Sequence, residues 1–399
     1  MSRPTPSPRH LAISAFVAFA AFGSFWGAWG ASVPRVQEQA GITDGQLGVA
    51  LLFVGAGALP AMLLMGKALD HWGLKVAALT IGVLGVSGAG IALAATSLVS
   101  LSIGLALAGA ASGAADVAMN SVAGRAEAIA QRPVITRAHG VFSGMVVVSS
   151  LGTGLAFAAA LPLAVPFVAV AVLSVLAGGL LLKTLPPGAP EHLQDAVPGS
   201  STRGLRVVPL LLVGVLGALA FASENAHQSW SAVFAHVELG AGSGLAAVAP
   251  AVFAATVAIT RFSIGGVGAA HAQTVLVAGS VVAATGAVVI AIAPTLLVAV
   301  LGLVLAAAGT AVLFPTLLGI VSRSVDESHR GRATSLVTTV SYLGFLLAPV
   351  YVGLSADAVG LRGAMVAVSA LAGVLVVITP ALLRLSGMTN PDRRTSSMV

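Results

Sequence analysis

Twelve long apolar runs follow one another along this chain of 399 residues, separated by short polar or Gly/Pro-rich segments. A run of about 20 apolar residues is long enough to cross the hydrocarbon core of a bilayer as a helix. The runs lie at about residues 11–32, 45–66, 76–95, 100–122, 138–160, 163–183, 207–232, 245–262, 274–293, 295–318, 335–356 and 363–384. We therefore expect an all-α membrane protein with twelve transmembrane helices.

The composition excludes a water-soluble fold. Hydrophobic residues make up 57% of the chain and charged residues only 8%, whereas soluble domains average roughly 45–50% and about 25%. So few charges cannot cover a protein of this length in water. The first run, 11–32, lacks a short charged region leading to a cleavage site, so we expect a membrane span and not a removable signal peptide.

The sequence offers no support for catalysis. It contains no cysteine, which excludes disulfides and thiolate ligands. It also lacks a Ser-His-Asp order, a histidine metal cluster and a phosphate-binding Gly loop with its lysine. We expect no enzymatic activity, no metal and no cofactor. The basic residues are thinly scattered without aromatic neighbours, so we expect no nucleic-acid partner.

The basic residues orient the chain in the membrane. If the N-terminus is cytoplasmic, 17 of the 19 Lys and Arg residues fall on the cytoplasmic side, and Arg35 and Arg362 fall on the other. Cytoplasmic loops of membrane proteins carry such an excess. The pattern predicts that both termini are cytoplasmic.

One polar segment divides the twelve runs. Residues 183–206 contain four prolines and a Gly-Ser-Ser-Thr sequence. We predict an N-terminal six-helix half over residues 1–182, a cytoplasmic linker at 183–206 and a C-terminal six-helix half over 207–399. Two such halves are the arrangement expected of a transporter whose repeats rock about a central site.

Four stretches carry motifs. Residues 66–75 follow the second run and contain Gly66, Asp70, Gly73 and Lys75. The second stretch has Asp116 and Asn120, followed by the segment Arg137-Ala-His139-Gly-Val-Phe142-Ser143. The third is Glu224-Asn225-Ala-His227-Gln228-Ser-Trp230-Ser231. The fourth combines Phe314-Pro315 with Tyr342-Leu-Gly-Phe345.

In this order the motifs resemble the major facilitator superfamily, in the bacterial inner-membrane branch related to fucose:proton symporters. The resemblance implies a carrier in the bacterial inner membrane, monomeric and surrounded by lipid, that moves a small solute and protons. It also implies that Gly66, Asp70, Gly73 and Lys75 gate the cytoplasmic side together with Arg261. Arg261 belongs to the second-half counterpart of this motif, which has no carboxylate between Arg261 and His271.

Asp116 is the deepest acid of the predicted spans. It lies about 14 residues, or roughly 21 Å of helix, beyond the start of the fourth span. A carboxylate at that depth costs at least about 2.5 kcal/mol, and such acids usually face a cavity and take part in transport. We predict that Asp116 carries the coupling proton, with Asn120 beside the solute. The alternative is a structural acid bonded permanently to Asn120.

The seventh span is the most polar. Glu224 and His227 share a helical face, and Asn225, Gln228 and Trp230 lie around them. Such a cluster can bind a solute by hydrogen bonds and stacking, and Glu224 is the second candidate for proton coupling. The alternative is that this span emerges early, with Trp230 as an interfacial anchor.

Three further residues are open to two interpretations. His139 either faces the cavity near Asp116 or lies at the cytoplasmic interface. Trp26 and Tyr342 either line the pore or anchor a helix end.

We therefore expect a proton-coupled carrier of a small polar or amphipathic solute that works by alternating access. The alternative is a drug or metabolite efflux antiporter driven by protons. A non-transporting membrane sensor or a channel is the alternative of a different class.

Overall fold

The computed structural model describes residues 8–186, 207–264 and 269–388. Every element of regular secondary structure in those residues is helical. The helices are α1 (Pro8–Ala40), α2 (Asp44–Trp72), α3 (Val76–Ala94), α4 (Leu98–Ala130), α5 (Ile135–Ala158), α6 (Ala164–Thr184), α7 (Val207–Val233, continued by a π-helical turn over Phe234–Glu238), α8 (Ser243–Ala246), α9 (Val248–Ile264), α10 (Ala272–Ala291, preceded by a 3₁₀ turn over Ala269–His271), α11 (Leu296–Ala311), α12 (Leu313–Ser324) and α13 (Glu327–Ser386).

Within the described residues, eleven helical segments are long and apolar enough to cross a membrane. The last of them is α13, whose 60 residues would extend roughly 90 Å at 1.5 Å per residue. Gly360 interrupts it with φ 76° and ψ 165°, outside the helical region. A glycine fits this position because it has no Cβ to oppose a positive φ. The break separates the eleventh and twelfth apolar runs of the sequence.

The helices extend beyond several of the apolar runs. The first run was expected to end near residue 32, but α1 continues to Ala40, and α4 continues past residue 122 to Ala130. Hydropathy marks only the part of a helix that is apolar enough for lipid, so it does not report polar extensions of the same helix.

The chain forms two compact units. The described part of the first comprises α1 to α6 together with the segment Gly240–Ala251, which includes α8. The second comprises α7 with its π-helical turn and the chain from Val252 onward. Of the predicted linker 183–206, residues 187–206 lie outside the described residues. So do both termini and five of the predicted cytoplasmic arginines, namely Arg3, Arg203, Arg206, Arg393 and Arg394.

Glycines bring helices of the first unit close together. The main packing pairs are α1 with α5, α2 with α4, and α3 with α6. A Cβ on Gly109 of α4 would collide with the backbone carbonyl oxygen of Val54 on α2, and one on Gly57 would collide with that of Ala106. Membrane helices use small residues in this way because close backbone approach supplies packing where lipid removes the hydrophobic driving force.

The second unit has a similar pattern of pairs. The part of α13 before Gly360 packs against α7, where Gly344 meets the backbone of Ala218. The part after Gly360 packs against α10, where Ser369 donates to Ala284 O at 3.1 Å. The first helix of this unit therefore pairs with the segment before the break, and α10 pairs with the last segment.

The two arginines expected on the non-cytoplasmic side both bind the ends of helices. Arg35 donates to Leu161 O at 3.0 Å in the turn between α5 and α6. Arg362 donates to Ala291 O and Ala293 O, at 3.0 and 2.9 Å, where α10 ends. The last carbonyls of a helix lack partners within the helix, so these two arginines have a structural role that accounts for their position.

The α2–α4 contact gives a test of glycine packing. We expect Gly109→Ala to destabilise the protein by about 1–3 kcal/mol, the usual cost of overpacking, because the added methyl group meets rigid backbone. Gly124→Ala is the control on the same helix, since a Cβ there has no atom within 4 Å. Thermal unfolding in detergent measures both. An equal melting temperature for the two variants would contradict the proposed contact.

Candidate functional site

An ion pair joins two residues that the sequence analysis assigned to different tasks. Arg261 Nη2 donates to both carboxylate oxygens of Glu224, at 2.9 and 2.8 Å. The side chain of Arg261 is 41% exposed and that of Glu224 is 15% exposed. Arg261 was expected in a cytoplasmic gate and Glu224 beside the solute. Their contact places both in one cluster.

The ion pair lies near the middle of α7 and of the apolar segment Leu296–Ser324, which α11 and α12 form. Glu224 is about 25 Å from the start of α7 at Val207 and about 21 Å from the end of its π-helical turn at Glu238, by helical rise. Arg261 Nε donates to Ala311 O at 3.2 Å, and Ala311 is about 22 Å along α11 from Leu296. Ionisable groups at such depth usually mark a transport pathway.

A proline explains why the carbonyl of Ala311 is available to Arg261. In a regular helix that carbonyl would accept from the backbone N–H four residues later. That residue is Pro315, which has no N–H, and its ring crowds the preceding turn. The tenth apolar run is accordingly broken at Val312 into α11 and α12. Arg261 thus satisfies a carbonyl that the helix leaves free.

An aromatic cluster lies about one turn from the ion pair. The rings of Phe221 and Phe314 have their centroids 4.2 Å apart. Phe221 is three residues before Glu224, and Phe314 is three residues after Ala311, so both lie on the same side of Arg261. Tyr342 and Phe345 of α13 complete the cluster, 5.5 and 6.4 Å from the Phe221 ring. The two α13 rings are partly exposed.

His227 and Trp230 lie on a buried face of α7, being 1% and 0% exposed. His227 Nδ1 is 2.7 Å from Ser223 O. A carbonyl only accepts, so Nδ1 carries the proton and Nε2 is the acceptor in the neutral ring. The ring stacks on Phe253 at 5.9 Å. Complete burial of Trp230 does not fit a lipid-facing anchor.

Four polar atoms on this face have no hydrogen-bond partner among the described residues. They are Ser223 Oγ, His227 Nε2, Trp230 Nε1 and Ser231 Oγ. Unpaired buried polar atoms are costly, about 1–3 kcal/mol each by mutational measurements. The face is therefore able to bind water or a polar solute.

The other polar residues of α7 differ in their surroundings. Asn225 Nδ2 donates to Phe345 O at 2.6 Å, and Asn225 Oδ1 accepts from Ser229 at 3.0 Å. The first contact ties Asn225 to α13, and the second lies within α7. Gln228 is exposed, one turn after Glu224.

Asp116 and Asn120 lie together on α4 in the first unit. Asn120 Nδ2 donates to Asp116 Oδ1 at 3.1 Å and to Asp116 O at 2.9 Å. Both residues are partly exposed. Among the described residues no cation forms an ion pair with Asp116, whereas Glu224 has one. The two predicted intramembrane acids therefore differ in electrostatic environment.

Aromatic residues of α1 surround two other candidates. His139, at the start of α5, is exposed and meets the ring of Phe19 edge-on at 4.9 Å. Trp26 is partly buried and makes edge contacts with Phe25 at 5.3 Å and Phe22 at 6.4 Å. Neither contact decides between the two interpretations of these residues.

The loop motif lies at the end of α2. Gly66 and Asp70 are exposed on its last two turns, and Lys75 is partly buried just before α3. Gly73 ends the helix with φ 73°, a conformation that favours glycine. The gating role expected of these residues remains a prediction.

The sequence analysis missed a glycine contact in the first unit. A Cβ on Gly154 of α5 would lie 2.6 Å from Gly244 O, and one on Gly244 would lie 2.8 Å from Gly154 O. Ser150 Oγ donates to Ala247 O at 3.0 Å beside this contact. In the sequence, the one signal for this contact is that the small residues Ser150 and Gly154 are one helical turn apart. Such spacing is common in membrane helices, so it does not predict a particular contact.

Among the described residues, no group of three or more His, Asp or Glu side chains is arranged to hold a metal ion.

Solved structures share this fold. A bacterial homologue of the human lysosomal transporter Spinster, in an inward-facing and unoccupied conformation, is 16% identical, with a TM-score of 0.74 over 97% of this chain and 98% of that one. The nucleoside transporter NupG, as a point mutant, is 14% identical, with a TM-score of 0.76 over 94% and 99%. The human organic anion transporter MFSD10 is 14% identical, with a TM-score of 0.61 over 95% and 100%.

At these identities the likeness concerns the fold. No curated protein matches the chain in sequence. The sequence profile of the Major Facilitator Superfamily, however, matches residues 11–269 and 270–397, which together are nearly the whole chain. This multi-pass membrane protein therefore belongs to the major facilitator superfamily of transporters.

Proposed function

We propose that the protein is a proton-coupled carrier of a small polar or amphipathic solute. The observation that carries this proposal is the contrast between its two deep carboxylates. Glu224 is held by Arg261, whereas Asp116 has only the amide of Asn120. A gradient-driven carrier needs a group whose protonation changes as access alternates, and Asp116 is the deep acid without an ion-pair partner among the described residues.

Asp116 is the proton carrier in this proposal. No described cation opposes its protonation, and burying an uncompensated charge is costly. Its partial exposure gives protons access. Glu224 is a weaker candidate, because it forms an ion pair with Arg261.

Solute contacts are proposed for each unit separately. In the second unit they involve Glu224, His227, Gln228 and Trp230, with Tyr342 at the aromatic cluster. In the first unit they involve Asn120, His139 and Trp26. The unpartnered atoms of His227 and Trp230 support this, since a polar solute or its water would satisfy them. The contact of Asn225 with α13 favours a structural role for that residue.

Alternating access requires two halves. We propose twelve spans, with α13 supplying the eleventh and twelfth, and halves over residues 1–182 and 207–399 joined by the linker 183–206. The similar pairing of first with fifth and third with sixth spans supports this division. We further propose the bacterial inner membrane, cytoplasmic termini, a monomer and the branch related to fucose:proton symporters.

Gating in this proposal uses two groups of residues. On the cytoplasmic side these are Gly66, Asp70, Gly73 and Lys75. On the other side the closed state uses the contact of Gly154 with Gly244, near the outer end of the fifth span in the proposed topology.

Efflux by proton antiport is the second candidate function. The uncompensated carboxylate of Asp116 favours it, because such a group can bind a cationic solute and a proton in turn.

Substitution of Asp116 tests the coupling. Thermal-shift screening of a metabolite and drug library on purified protein first provides a ligand, which is then followed in proteoliposomes. We expect Asp116→Asn to keep solute binding and counterflow exchange but to lose accumulation driven by a pH gradient. Glu224→Gln is expected to weaken binding, because it releases Arg261.

Asp357→Asn, at a helix edge, is the control for loss of an acid and is expected to behave as the wild type. Accumulation that survives in Asp116→Asn at the wild-type rate would contradict the assignment. The coupling role would then pass to Glu224 or His139.

The outer gate is tested by cysteine labelling, for which the absence of native cysteine gives a clean background. Ser150 is fully buried beside the glycine contact, so Ser150→Cys reports opening. We expect Gly154→Ala in this background to raise the labelling rate by an impermeant maleimide added from outside, because its methyl group prevents closure. Gly152→Ala is the control, having no atom within 4 Å of its Cβ. Equal rates in the two variants would argue against this gate.

A further inference from the structure

We propose that the transported solute is an aromatic carboxylate, with its anionic group on Arg261 and its ring on the cluster of Phe221, Phe314 and Tyr342. This inference rests on the proposed function, because it names the solute class of the same site. It follows from three features of the second unit.

The first feature is the unused part of the Arg261 guanidinium. Nε donates to Ala311 O, and Nη2 binds both oxygens of Glu224. Nη1 has no hydrogen-bond partner among the described residues. Arginine binds carboxylates most strongly when two of its nitrogens take part. Glu224 uses only one, so a second acceptor has room on a side chain that is 41% exposed.

The second feature is an apolar platform at a fixed distance from that charge. Phe221 lies three residues from Glu224 and Phe314 three residues from Ala311, about 4.5 Å of helical rise in each case. Arg261 contacts both Glu224 and Ala311. The centroids of the two rings are 4.2 Å apart. Tyr342, 40% exposed, lies at the edge of this ring pair. Aromatic rings prefer offset or edge contacts with one another. The platform therefore fits a planar ring better than an alkyl chain.

The third feature is the anchoring of the residues that surround the platform. Asn225 fixes α7 to the backbone of α13 at Phe345, and Arg261 fixes α9 to α11 at Ala311. The charged and aromatic parts of the site are thus held at a set spacing by contacts that do not involve the solute. A preorganised site loses less entropy when it binds.

The charges agree with an anion that travels with a proton. The deep ionisable groups are Asp116, Glu224 and Arg261, whose ionised forms sum to one negative charge. One bound carboxylate and one proton on Asp116 leave that sum unchanged. A carrier that has the same charge when loaded and empty avoids an added cost of moving charge through a low-dielectric region.

Other solute classes fit the site less well. A cationic solute would have to draw Glu224 away from the guanidinium that holds it with two contacts. A neutral hydroxylated solute would gain no bond between opposite charges, and it would leave the aromatic platform without a ring to pack against.

The test is a binding assay with matched ligands on the purified full-length protein. Benzoate, phenylacetate and indoleacetate are each compared with the corresponding amide, with phenethylamine as the cation and acetate as the anion without a ring. Dissociation constants come from calorimetry and thermal shift. We expect at least one aromatic acid to bind about tenfold or more tightly than its amide, as a charge-assisted bond implies, and acetate to bind more weakly than the acid.

Arginine variants locate the anion. Arg261→Gln should abolish the preference for acid over amide, and Arg261→Lys should restore it only in part, because lysine lacks the planar pair of donors. Phe314→Leu should weaken binding of acid and amide alike. Arg384→Gln removes an exposed arginine at the end of α13 and should leave every constant unchanged.

The outcomes separate this inference from the proposed function. It is overturned if no aromatic acid binds more tightly than its amide, or if the preference persists in Arg261→Gln. Tighter binding of phenethylamine than of all the acids also overturns it, in favour of cation antiport. The proposed coupling fails separately, when accumulation of a bound solute does not respond to a pH gradient.

Discussion

Every backbone polar group of a membrane helix needs a hydrogen-bond partner within the protein. The helix α11 has no N–H for the carbonyl of Ala311, and Arg261 donates to that carbonyl instead. Pro315 removes the N–H that would serve the carbonyl of Ala311, and the guanidinium supplies a donor in its place. The same guanidinium balances the charge of Glu224. One side chain therefore stabilises a broken helix and a deep carboxylate together, and this fixes the relative heights of α7, α9 and α11 in the second unit.

The same requirement distinguishes packing residues from candidate site residues elsewhere in the chain. Many hydroxyl groups within the helices donate to a carbonyl one turn earlier, as Ser24 does to Ala20, Ser280 to Leu276 and Thr310 to Ala306. These groups are satisfied without any ligand. The buried atoms of His227 and Trp230 are not satisfied in this way. Their face of α7 holds four of the six buried side-chain atoms that lack a partner among the described residues, the others being Ser32 Oγ and Arg125 Nε.

Periodicity and hydropathy predicted the helices well, because membrane insertion depends on segment composition alone. The all-helical fold and the membership of the superfamily are confirmed. The Asp116–Asn120 bond was also foreseeable, since residues four apart share a helical face. The partner of Glu224 was not, because Arg261 is 37 residues away and meets it only through the packing of α7 and α9. Sequence position placed Arg261 near a helix end, whereas its contacts place the guanidinium near the middle of α7 and at the break between α11 and α12.

In the proposed function, the distribution of charge between the units bears on how a proton and a solute are coupled. The second unit holds its deep acid and base as a neutral pair inside one compact body. Movement of that body as a whole leaves the pair intact. The first unit holds Asp116 without a cation partner among the described residues, so protonation changes the charge of that unit and not of the other. A proton on Asp116 is then an electrostatic signal confined to one unit, while the geometry of the Arg261 cluster stays constant. In the proposed function, Asp116 and the Arg261 cluster lie in different units, so protonation of Asp116 biases the conformation while the contacts proposed to recognise the solute stay intact.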